Sequence, residues 1–340
     1  MSTFLTDYGL FLAKTLTFLV AIFVVFAMAA AFSKRQQQSE TLRVDKLNDK
    51  YKNLSRSLRR AITSGDALKA LKKKQKADRK AEKQDDTSRA KTFLLEFKGD
   101  IRAQGVASLR EEVTAILAVA GEGDEVLLRL ENPGGMVHEH GLACAQLARV
   151  RDAGIRLTVA VDKVAASGGY LMACVADRIL AAPFAIVGSI GVIAQLPNFN
   201  RLLEEKGVDF EQVTAGKYKR TVTMFGKNTD EDRAKLKEEL EDVHRLFKAV
   251  VSRYRPDMDL ERVATGEHWL GTQALELGLI DEITTSDAWL SDALDARDIF
   301  SVKYEIKRPL QQRLSGAVDS AVSRLVDNLR GGISLLRRGS

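Results

Sequence analysis

Between residues 92 and 254, short apolar runs alternate with longer stretches of helical periodicity, and that alternation limits the chain to few architectures. "TFLLEF" (92–97), "DEVLLRLE" (124–131) and "RLTVAVD" (156–162) have strand length and are rich in Leu and Val. "ASLREEVTAILAVA" (107–120) and residues 137–153, which lie between them, read as helices. Further short strands are predicted at "RILAA" (178–182), "AIVGSIGVIA" (185–194) and "FEQVTA" (210–215), with helices near 198–206 and over 229–254. Strands separated by helices pair in parallel, so the pattern predicts an α/β fold: a mostly parallel sheet with helices on both faces. "SVKYEIK" (301–307) reads as one more strand.

Two glycine-rich turns follow predicted strands, "LENPGGMV" and "AASGGYL". In an open parallel sheet both face the crevice at the carboxyl ends of the strands. The amides of Gly134, Gly135 and Gly168 then point into it, as donors suited to a developing oxyanion. Neither turn has the glycine spacing of a dinucleotide fingerprint or the Lys of a phosphate loop. Two glycines cost about 1 kcal/mol each in a first helical turn, so in "SGGY" Ser167 reads either as a plain helix cap or as a nucleophile with glycines clearing space around it.

A serine hydroxyl needs a base. His138 and His140 follow the first turn, but neither has an evident acid partner, and their spacing is wrong for zinc on one helix face. "TAGKYKRTV" (214–222) offers Lys217 and Lys219, between which periodicity does not choose. A lysine base must be neutral, which requires its pKa to fall from about 10.4 toward 7 or 8, about 4 kcal/mol. Burial in an apolar site supplies such a change. Cys144 and Cys174 sit in apolar, helix-like sequence and read as buried free thiols.

"NPGG", "AASGGY", "GSIGV", "AGKYK" and "GEHWLGTQALELGLIDEI" occur in this order. The ordered set resembles the signal peptide peptidase A family of serine peptidases, and the single-copy, anchored form resembles its SohB branch. The resemblance covers roughly residues 92–300 and implies a fold similar to the Clp protease and crotonase group. It implies Ser167 as nucleophile and Lys219, rather than Lys217, as general base and acid. Ser189 would orient that amine, and Gly134 and Gly168, with Gly135 adjacent, would form the oxyanion hole. In the "GEHWLGTQALELGLIDEI" element Leu270-Gly271 stand where the family has Thr-Gly, and a structural role is expected for it. Peptide or protein substrates, no metal, no cofactor and a homo-oligomeric ring that completes each site are implied as well. A crotonase-like acyl-CoA enzyme would leave the Ser-Lys pair unexplained. A catalytically silent membrane scaffold on the same fold is the alternative reading, and it has no need of that spacing.

"TLTFLVAIFVVFAMAAAF" (15–32) is uncharged and long enough to span about 30 Å of hydrocarbon, so a retained transmembrane anchor is expected over residues 1–33. Residues 33–91 hold 19 Lys/Arg against 8 Asp/Glu, +11 of the overall +6, which leaves about −5 for 92–340. A mildly acidic body argues against nucleic-acid binding. The organisation expected is an anchor (1–33), a basic helical or linker segment (34–91), the peptidase domain (92–300), and a C-terminal strand and amphipathic helix (301–340). The helix rests on Leu314, Val318, Val322, Leu325 and Leu329. The resemblance puts the protein in the bacterial inner membrane, held to lipid by its N-terminal helix. The basic flank argues for a cytoplasmic body and the resemblance for a periplasmic one.

Overall fold

The computed structural model describes residues 9–12, 14–20, 22–23, 41–63, 65 and 89–306. Its centre is set by β2 (Lys91–Lys98) and β3 (Glu125–Glu131), which pair in parallel from Thr92–Glu125 to Lys98–Glu131. Alternate side chains of β2 face opposite ways, and both faces are covered. Phe93, Leu95 and Phe97 enter the larger core, while Leu94 joins Leu127, Ala160, Leu180 and Ile299 in a smaller one. This accounts for the unbroken apolar runs of the sequence.

The seven-stranded sheet has the order β1-β10-β2-β3-β4-β6-β9. Its remaining members are β1 (Thr41–Lys46), β4 (Arg156–Val161), β6 (Arg178–Ala181), β9 (Glu282–Ile283) and β10 (Asp298–Glu305). All pairings from β10 to β9 are parallel. A smaller sheet, β5 (Val164–Ala166), β7 (Ile186–Gly188) and β8 (His268–Leu270), is tied to it by a parallel bridge between Asn132 and Ala165. From residue 41 onward the helices among the described residues are α1 (Leu47–Ile62), α2 (Val106–Leu117), α3 (Val137–Asp152), α4 (Gly168–Ala173), α5 (Asn200–Glu205), α6 (Asp230–Tyr254), α7 (Leu260–Val263), α8 (Gly271–Glu276) and α9 (Ser286–Ala293). The fold is therefore a mixed α/β fold with a largely parallel sheet, in agreement with the sequence pattern.

Residues 43–303 form one compact unit; residues 1–42 with 304–340 form another, of which few residues are described. Three regions differ from the sequence reading. First, a strand precedes the helix of the basic segment: β1 runs over Thr41–Lys46, and β10 crosses the expected 300/301 boundary. All six residues of β1 are exposed, so no apolar alternation announces it. Second, residues 210–215 form no strand; Val213 is 97% exposed, and no described strand lies beside them to take up their hydrogen bonds. Third, the strand expected over 185–194 stops at Gly188, because Ser189 has φ +52° and turns the backbone out of the extended region. Among the described residues no helix is long and apolar enough to cross a membrane; the apolar run 15–32 lies largely outside them. The C-terminal amphipathic helix lies outside them too.

Candidate active site

Ser167 lies between β5 and the first turn of α4. Its backbone has φ +52° and ψ −120°, a conformation that costs a side-chain-bearing residue about 1–3 kcal/mol. Its hydroxyl makes no capping bond to α4, so the cap reading of this serine fails. The amide of Ser167 donates to the carbonyl of Gly188 at 2.8 Å, which locks the turn to β7. The next residue, Ser189, shares φ +52°; its amide donates to Glu267 O at 2.6 Å and its hydroxyl faces Gly266 O at 3.4 Å. Both serines line one cavity of about 770 Å³ together with Gly135 and Gly168.

The opposite rim is the "NPGG" turn between β3 and α3. Gly134 has φ +93°, and a Cβ there would lie 2.7 Å from Ser167 Cβ and 2.9 Å from Gly168 N. Only a glycine lets the two turns approach this closely. The Gly134 amide is engaged, donating to Asn132 Oδ1 at 2.7 Å. The amides of Gly135 and Gly168 have no protein acceptor among the described residues. Of the three glycines expected as oxyanion donors, these two amides are therefore the free ones, and Gly134 is the spacer that sets Ser167 against them.

The cavity wall is apolar. Val243, Leu246, Phe247 and Val250 recur on α6 at helical spacing and face it, with Leu171 on α4 opposite. The capping box of Thr229 and Asp232 fixes where α6 starts. His244, on the same helix, approaches Ile190 O at 3.2 Å.

The structure brings together Ser167, Ser189 and the glycine turns, but not the lysine. Lys219 is exposed, in a stretch without helix or strand between Lys206 and Thr229, and does not line the cavity. Lys217 pairs with Glu231 at 2.8 Å. Its hydrogen bond to Glu231, with Tyr218 adding to it, holds its pKa above the usual lysine range and disfavours it as a base. His138 is exposed, 3.8 Å from Glu139. Cys144 and Cys174 are buried free thiols; burial pushes Cys144 up to about 11 and Cys174 well above its ordinary value, so neither is a reactive thiolate.

Two further residues belong to the site: Asn132, which the sequence reading does not single out, and His140, which it weighs only as a base or zinc ligand. Asn132 and His140 are fully buried and bonded to each other beneath the Gly134 turn. The sequence does carry a signal for Asn132: an Asn two residues ahead of a glycine, whose side chain reaches the amide at i+2.

With this geometry in view, the sequence matches "Peptidase family S49 N-terminal" over residues 3–147 and "Peptidase family S49" over 149–299. The chain belongs to peptidase family S49. A curated relative from Haemophilus influenzae, "Probable protease SohB", is 43% identical over 339 residues, 96% of each chain. Another of that name, from Buchnera aphidicola subsp. Acyrthosiphon pisum, is 46% identical over 320 residues, 94% of this chain and 95% of the relative. Among solved structures, a ClpP1 point mutant from Listeria monocytogenes aligns with a TM-score of 0.39 at 12% identity, covering 58% of this chain and 94% of that one. As a member of a peptidase family the chain has peptides or proteins as its substrates.

Proposed function

We propose that the chain is a membrane-anchored serine endopeptidase in which Ser167 attacks the peptide carbonyl and Lys219 serves as general base. The observation that carries this reading is the position of Ser167, just ahead of α4 with no capping bond, lining an apolar cavity together with Gly135 and Gly168, whose amides have no acceptor among the described residues. In the first step the Ser167 hydroxyl adds to the carbonyl carbon and its proton passes to Lys219 Nζ. The two amides hold the resulting oxyanion, a contribution of about 10²–10³ in rate for one such donor. Collapse expels the amine, which takes the proton back, and water then hydrolyses the ester. Ser189 orients the lysine amine. The step needs no metal or cofactor.

Lys219 lies outside the cavity of a single chain, so the site is completed in a homo-oligomeric ring, where a neighbouring copy brings its lysine arm to the serine. Substrates bind extended along the backbone near 135–137 and 187–192, with small or apolar side chains in the cavity. Remnants of signal peptides and misfolded membrane proteins fit that preference. The apolar run 15–32 supplies the anchor in the inner membrane and its contact with lipid.

The test is labelling of the full-length, membrane-extracted protein by a fluorophosphonate, together with cleavage of an apolar fluorogenic peptide. Wild type should label at Ser167 and cleave, and Ser167→Ala should do neither, with kcat/KM lower by at least about 10³-fold. Cleavage that persists in Ser167→Ala removes the nucleophile assignment.

A further inference from the structure

Beneath the Gly134 turn lies a polar pair that the proposed mechanism does not use. Asn132 directly follows β3 and is fully buried. Its Oδ1 accepts from Gly134 N at 2.7 Å and lies 3.1 Å from His140 Nε2. A backbone amide only donates, so the Asn132 atom facing Gly134 is the oxygen, and the side-chain orientation follows from that contact. His140, equally buried, has Nδ1 2.9 Å from Met136 O. One imidazole thus spans the "NPGG" turn, from Asn132 before it to Met136 after it.

The pair also touches the nucleophile's side. A Cβ on Gly168 would lie 2.5 Å from His140 Cγ, so the His140 ring sits directly against the Gly168 backbone. The main chain of Asn132 accepts from Ala166 N at 3.1 Å and donates to Val164 O at 2.8 Å, in β5, just before Ser167. Asn132 and His140 therefore contact both strands of backbone that carry the free amides of Gly135 and Gly168.

We propose that Asn132 and His140 are positioning residues that set the gap between the Gly135 and Gly168 amides, and so their aim at the oxyanion. This rests on Ser167 being the nucleophile. Without the Asn132 oxygen, the Gly134 amide loses its acceptor, the Gly135 amide beside it shifts, and transition-state binding suffers while substrate binding does not.

The experiment compares Asn132→Leu, Asn132→Asp and His140→Phe with wild type in the full chain. It measures kcat, KM and the affinity for an apolar tripeptide aldehyde, whose adduct with serine carries the same oxygen. Asn132→Leu should lower kcat about 10²-fold with KM within about two-fold, and weaken aldehyde binding to a comparable degree. Asn132→Asp keeps an acceptor and should recover kcat to within about ten-fold of wild type. His140→Phe, which fills the same space without ring nitrogens, should lower kcat with KM unchanged, and it carries the test if Asn132→Leu does not fold. Wild-type kcat and aldehyde affinity in Asn132→Leu, or in His140→Phe where that variant carries the test, overturn the proposal. So does a loss that follows only the folded fraction, with Asn132→Asp no better than Asn132→Leu. Cleavage surviving in Ser167→Ala would overturn the nucleophile and this proposal together, and so is told apart from failure of the pair alone.

Discussion

The two halves of the proposed dyad sit in regions built on opposite terms. Around Ser167 the backbone is tied down on both sides of the two free amides: its own amide goes to Gly188, the Ala166 amide to Asn132, and Gly134 packs against its Cβ. Around Lys219 every residue from 211 to 220 is exposed, and its own amide is held only by Gly216 at 3.1 Å. Gly216 has φ +96°, and a Cβ placed there would meet nothing within 4 Å, whereas at Gly134 such a carbon meets three atoms within 2.9 Å. The contrast teaches that a strained nucleophile needs a packed frame to hold it, while a flexible lysine stem needs only delivery.

The largest effect that would break this contrast is catalytic. Lys219→Ala should lower kcat/KM by at least about 10³-fold, with the thermal midpoint unchanged, because the side chain is exposed. Lys217→Ala, which removes a surface pair with Glu231, should leave kcat/KM within about two-fold. Equal losses in both would mean that the arm acts as a unit and that no single lysine is the base. Steady-state kinetics beside a thermal melt separates these outcomes.

A smaller effect concerns stability. Gly134→Ala should cost about 2–4 kcal/mol, from positive φ and overpacking together. Gly216→Ala should cost about 1 kcal/mol, from φ alone. Urea denaturation of both variants checks the difference, and similar values would erase the distinction between frame and arm.

The smallest effect is in the acid range and belongs to the frame. Asp124 accepts from Lys91 N at 2.6 Å and Gly121 N at 3.0 Å. Burial works against its charge, but these amides, with Lys91 and Arg297 nearby, outweigh it and hold its pKa below the usual carboxylate range. A lowered folded value contributes stability above the unfolded pKa of about 3.9, and that stability is lost as pH falls through the folded value. Asp124→Asn should therefore cost about 1–2 kcal/mol at neutral pH and show a flatter loss of stability below about pH 4. Equilibrium unfolding between pH 3 and 7 measures both.

What is legible in the chain follows the same divide. β2, β3, β4 and the helices between them can be read because both sheet faces are buried and apolar runs report that directly. β1 cannot, since "TLRVDK" buries nothing and its strand state depends on a neighbour distant in sequence. "FEQVTA" fails in the other direction: strand propensity without an adjacent edge yields an exposed loop. At the site, Ser167 and the glycine turns are legible from local chemistry, and Lys219 only through resemblance. Asn132 is hidden in a turn motif. His140 looks idle for want of an acid partner, yet its buried ring faces carbonyl and amide oxygens instead.

The hollow beside Ser167 measures about 770 Å³ and is walled along one side by successive turns of α6. Spaces of about 300–1,000 Å³ take up whole drug-sized molecules, so a single residue of a bound polypeptide leaves much of this one empty. Selectivity would then be read from a run of greasy residues rather than one preferred letter. Sequences scanned singly around the scissile bond would look permissive, while the summed oiliness of several neighbours decided which were cut.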